Sequence, residues 1–163
     1  MPHRPVIDGL EFARSQGRLS GDWPIADLPR LRDAVQSGTA LRYELEGVPQ
    51  ERGRPALRLR VTGTLRLACQ RCLGALEHPL RVDALLLLFG SENDIETVPL
   101  DAEAPDGIVA TKEMAVRDLI EDEVLLAIPY APRHEECKSS TDAAGVPGAR
   151  PFADLRALLS TKH

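Results

Sequence analysis

Aromatic side chains are scarce in this chain: three Phe, two Tyr and one Trp make up 4% of 163 residues. None falls between Tyr43 and Phe89, so the middle of the chain lacks the stacking platform of a dedicated single-strand RNA sheet. Long hydrophobic runs are missing too. The longest, Ala84 to Phe89, is far short of the roughly 20 apolar residues that a membrane helix needs. The opening residues carry no apolar stretch of the secretory kind. The expectation is a cytoplasmic protein with no membrane partner. Cysteine is limited to three residues, an odd number that makes no secreted disulfide framework. Histidine is limited to four. Gly-x-Ser-x-Gly, His-Glu-x-x-His and a phosphate-cradling glycine loop are all missing from the sequence, which argues against hydrolytic chemistry. The reading is of a non-enzyme with no small-molecule substrate.

What remains is a globular composition, 43% hydrophobic, with a core that must be built from Leu, Val, Ile and Ala. The length suits one domain. Residues 1–137 read as a single α+β domain, 138–150 as a flexible linker rich in Ser, Thr, Ala, Gly and Pro, and 151–163 as a short C-terminal docking helix. Leu28 to Gln36 has the helical spacing of Leu28, Leu31 and Val35, with Asp27 as N-cap and Pro29 in the first turn. The period then becomes two. Leu41, Tyr43 and Leu45 alternate with charged residues, as do Leu57, Leu59 and Val61, and Leu65 and Leu67, giving half-buried strands. A loop from Val48 to Pro55 joins them, and Gly63 marks a bulge or tight bend. Pro79 to Phe89 continues as a strand that is too apolar to keep a wet face. Ser91 to Gly107 reads as an acidic loop or irregular edge. Met114 to Ile128 is the main helix, stopped by Pro129. The fold class is α+β: an antiparallel sheet, open or barrel-like, with one main helix and short flanking helices.

Net charge is −5, but it is unevenly spread. Seven arginines lie between Pro49 and Arg81, and eleven acids lie between Glu92 and Glu123. Such asymmetry is compatible with a local anion-binding face, or with two segments that neutralise each other. Arg58, Arg60 and Arg66 fall on the polar sides of consecutive strands and Arg71 follows, so these four are the candidates for phosphate contacts with RNA. A solvated, arginine-studded face is the plain alternative. Glu121, Asp122 and Glu123 read as a solvated helix face, except that Glu123 falls near the apolar stripe and needs a partner such as an arginine.

The cysteines have a pattern. Cys69-x2-Cys72 and His134-x2-Cys137 together offer three thiolates and one imidazole, a tetrahedral set for one structural zinc ion. His78 is a substitute ligand for the ion; reduced, partly buried thiols with His134 as a surface residue are the alternative reading. A thiol–disulfide oxidoreductase is a third reading. It wants an activating helix and a βαβ frame around the motif, and the arginine-rich strand before Cys69 supplies neither.

Three blocks in order, "LACQRCLGALEHPL", "VRDLIEDEVLLAIPYAPRHEEC" and "RPFADLRALL", resemble the signature of the YceD family, the large ribosomal RNA subunit accumulation proteins of bacteria and chloroplasts. The chain departs from that pattern only in Arg150, where an Asn before Pro is common. The resemblance implies a cytosolic, non-enzymatic ribosome-biogenesis factor whose partners are large-subunit ribosomal RNA or pre-ribosomal proteins. A protein-interaction module with a structural zinc and no RNA contact is the rival reading.

Overall fold

The alternating stretches form long strands, and their apolar parity decides which face turns inward. The computed structural model describes residues 5–97 and 104–137. In chain order these form β1 (Val6–Ile7), α1 (Gly9–Arg14), β2 (Arg18–Trp23), a 3-10 turn (Ile25–Asp27), α2 (Pro29–Ala34), β3 (Ser37–Gly38), β4 (Leu41–Glu51), β5 (Arg54–Ala68), β6 (Ala75–Phe89), α3 (Glu92–Glu96), β7 (Asp106–Val109), β8 (Met114–Ala115) and α4 (Val116–Ala127). The fold is α+β. The main sheet has the order β2-β4-β5-β6-β7, with β3 also pairing β5. Among the described residues this is an open path with β2 and β7 as its ends, not a closed barrel. All pairs are antiparallel except β6 with β7, which run parallel. A small second sheet pairs β1 with β8.

The inward rows are Leu41, Tyr43 and Leu45 on β4, Leu57, Leu59, Val61, Leu65 and Leu67 on β5, and Leu80, Val82, Leu86 and Leu88 on β6. The buried side of α4 (Val116, Leu119, Ile120, Val124), Leu28 just before α2 and Leu31 within it join the same cluster. Burying one such side chain is worth about 1.5–3 kcal/mol, whereas a surface ion pair gives about 0–1 kcal/mol. The leucine rows therefore decide the fold. The far end of β6 is buried on both faces: Leu87 and Phe89 pack with Ala56 on the opposite side, and the Arg54 guanidinium lies 4.3 Å from the Phe89 ring centre.

Several local expectations change. The connection between β4 and β5 is a two-residue turn, not a loop from Val48 to Pro55. Arg52 and Gly53 both take positive φ, 48° and 81°, the backbone of a type I′ hairpin turn. The register shift lies between Val48 and Glu51, whereas Gly63 pairs in step with Leu80 and makes no bulge. Strand β6 begins at Ala75, before Pro79. The acidic stretch after it holds α3, capped by the Ser91 side chain, and β7. Strand β2 alternates weakly, with Leu19 and Gly21 half-buried and Trp23 buried between exposed Arg18, Ser20 and Asp22, a signal carried by only two apolar side chains. The linker at 138–150 and the docking helix at 151–163 lie outside the described residues.

Candidate metal centre

Parity places the first ligand. Cys69 continues the inward row of Leu65 and Leu67 and is fully buried. The chain then turns back into β6. The Cys69 N–H donates to the Gly74 carbonyl at 2.8 Å and the Leu73 N–H donates to the Cys69 carbonyl at 2.9 Å. Leu73, not Gly74, takes the left-handed conformation, with φ of 60°. At Gly74 the approach is close instead: a Cβ there would sit 3.3 Å from Cys72 Sγ. Pro129 ends α4, and the following segment returns to this turn, where the Gln70 N–H donates to the Pro132 carbonyl at 2.8 Å.

This brings the two halves of the pattern together. One ligand atom from each of Cys69, Cys72, His134 and Cys137 lies within 4.8 Å of all the others. Cys69 Sγ is 3.7 Å from Cys137 Sγ, and Cys72 Sγ is 3.6 Å from His134 Nδ1. A tetrahedron built on Zn–S bonds of about 2.3 Å has edges of about 3.8 Å, slightly less where one ligand is nitrogen. A disulfide would need about 2.05 Å, and none of the three cysteines forms one. His134 Nε2 lies 3.0 Å from the Ala75 carbonyl. If Nε2 donates there, Nδ1 is left with its lone pair facing the thiols. That is the outer hydrogen bond by which proteins fix a metal-binding histidine.

The electrostatics suit a cation. The N–H of Cys72, followed by those of Arg71 and His134, holds the Cys69 thiol down to about 5, against burial, which pushes it up. Burial, with Cys72 and Cys69 beside it, pushes Cys137 up to about 11. His134 is raised, first by the Ala75 carbonyl and then by the neighbouring thiols. Three thiols gathered around one imidazole repel one another once ionised, and a divalent cation offsets that repulsion.

The four arginines stand differently from one another. Arg58 makes a two-pronged contact with Asp83, 2.9 Å at both nitrogens. Arg60 lies 3.7 Å from Asp83 and 3.9 Å from Glu44. These pairs extend across the outer sheet face through Arg18–Glu46 and Arg42–Asp22. Arg66 and Arg71 are exposed, and no ion pair engages either among the described residues. His78 faces Leu65 across the β5–β6 ladder and is not part of the cluster.

The acidic helix departs from expectation. Glu121 is not on a solvated face: it is 1% exposed. Its Oε1 accepts the N–H groups of Arg30 at 2.9 Å and Leu31 at 3.3 Å, and the Arg30 side chain reaches Glu121 Oε2 at 3.4 Å and Asp122 at 2.7 Å. Glu121 therefore caps α2, whose own N-cap residue is Leu28 with no side-chain bond. Asp27 does not cap it. Glu123, the residue that the apolar stripe singled out, has no cation partner among the described residues.

No described helix is long and apolar enough to cross a membrane. No curated protein and no solved structure matches the chain. A sequence model of the family described as large ribosomal RNA subunit accumulation protein YceD matches residues 57–158, a span that holds most of β5, all of β6 and α4, and all four cluster residues. That match covers more than half of the chain, and the protein therefore belongs to the YceD family.

Proposed function

We propose that this protein is a non-enzymatic, cytoplasmic ribosome-biogenesis factor that supports the accumulation of large-subunit ribosomal RNA. The family match over residues 57–158 carries this reading. In it, Cys69, Cys72, His134 and Cys137 hold one structural zinc ion. The ion supplies four bonds that tie the β5–β6 turn to the segment after α4. All four positions are taken by protein ligands, the closed arrangement of a structural rather than a catalytic site. Arg58, Arg60, Arg66 and Arg71 contact the RNA backbone, Arg58 and Arg60 by exchanging their carboxylate partners for phosphate.

A second reading rests on α4. Leu126 is 76% exposed and Tyr130, just beyond the helix, is fully exposed, which suits docking of a pre-ribosomal protein. Cells depleted of this protein should show a lower ratio of large- to small-subunit ribosomal RNA, restored by the wild-type chain. An unchanged ratio would refute the function. A partner captured equally well after nuclease treatment would favour the docking reading over direct RNA contact.

A further inference from the structure

The cysteine cluster sets two short segments side by side: residues 70–72 from the β5–β6 turn and residues 132–134 from beyond α4. They are joined at both ends, by the Gln70 to Pro132 hydrogen bond at 2.8 Å and by the Cys72 to His134 contact at 3.6 Å. The residue between the joined positions is an arginine in each segment, Arg71 in one and Arg133 in the other. Both are exposed, and neither forms an ion pair among the described residues. Glu135 and Glu136 follow close by in sequence without pairing to either.

On the sheet face four arginines are matched to carboxylates, whereas exposed Arg66 and Arg81 are each isolated and have no second arginine set beside them by a joined segment. Arg18, Arg42, Arg58 and Arg60 each have an acid within 4 Å. Two like charges held next to each other cost energy unless an anion lies between them. The planar guanidinium fork is also the donor that best fits a phosphate. We propose that Arg71 and Arg133 form a paired phosphate-binding site for RNA, assembled across the two segments that the cysteine–histidine cluster joins. The inference rests on the RNA-binding reading above and adds Arg133 to it. It also makes the cluster the element that sets the site's geometry. Leu73, two residues after Arg71, is 73% exposed and offers an apolar surface for a base or sugar.

The test uses the full chain and a labelled RNA hairpin with a single-stranded tail, read by fluorescence anisotropy across a salt series. Arg71→Gln and Arg133→Gln should each weaken binding roughly tenfold, and each should flatten the salt dependence by about 0.7 in logarithmic slope. Arg18→Gln, already matched to Glu46, should leave both unchanged. Both target side chains are exposed, so unchanged melting temperatures establish that the variants fold. Wild-type affinity in both variants would overturn the paired site while leaving RNA binding, and hence the proposed function, intact. No binding by the wild-type chain would overturn direct RNA contact and the site together. Equal displacement of the RNA by polyglutamate would reassign the pair to an acidic protein.

Discussion

Side-chain surroundings decide how each acid on α4 behaves, and the case of Glu123 shows how. Burial pushes its carboxyl above the ordinary value of 4.5, with Asp106 and Asp122 adding to the effect. The unfolded chain thus releases this proton at lower pH than the folded one. Between the two values the folded state holds more protons, so this group's contribution to stability falls as pH rises through that window. Glu123→Gln should raise the melting temperature by a few degrees at neutral pH and give no gain well below pH 4.5. Equal gains at both pH values would show that the charge is not the cause. The sequence reading placed Glu123 near the apolar stripe and was right that the position is uncomfortable. It expected the rescuing arginine there, whereas Arg30 goes to Glu121. A helical period gives the width of an apolar stripe but not its centre. The neighbouring α2 draws the buried arc round to include Glu121 and leaves Ala127 exposed.

Among the elements, α2 depends on a residue ninety positions away in sequence. The first turn of a helix leaves N–H groups without partners, and here they are met by Glu121 rather than by a local cap. Glu121→Ala should therefore cost about 2–4 kcal/mol in denaturant unfolding, through a lost cap, a buried unsatisfied N–H at Leu31 and a cavity. Glu121→Gln, which keeps an acceptor oxygen, should cost less. A loss under about 0.5 kcal/mol for the alanine variant, the range of ordinary surface changes, would contradict the capping role. Long-range caps of this kind leave no local signal, which is why Asp27 looked like the better choice. The long strands were legible because one face of each is buried, so their period is imposed by solvent. The parity that put Leu65 and Leu67 inward also placed Cys69 correctly. Strands β2 and β7 and helix α3 were barely legible because each is short: β2 alternates only two apolar side chains, Leu19 and Trp23, β7 has four residues, and α3 has five exposed or half-buried ones.

For the whole molecule, two features bind distant parts of the chain. One is the leucine core between sheet and helices. The other is the cysteine–histidine cluster, which links β5 to the segment that follows α4. Its four members were readable from two short spacings; all four lie within 4.8 Å of one another, and two of the distances, 3.7 and 3.6 Å, are close to the edge of a zinc tetrahedron. The hydrogen bond from His134 to Ala75 was not readable, since it depends on how the turn closes. Arg58 and Arg60 of the basic stretch meet Asp83 and Glu44 on neighbouring strands, not the acids from Glu92 onward, partners that only the strand register could reveal. The account's central structural claim is that this cluster holds one zinc ion and so fixes the face proposed to meet RNA. Native mass spectrometry of the purified full-length chain, read with its melting temperature before and after chelation, tests that claim most directly. At free zinc about a thousandfold above Kd the linkage is worth about 4 kcal/mol, on the order of 10 °C for a chain of this size. The account predicts the mass of one zinc per chain, and a loss of both metal and that stability on chelation or in Cys72→Ser. A metal-free chain with three freely titrating thiols and an unchanged melting temperature in chelator would contradict it.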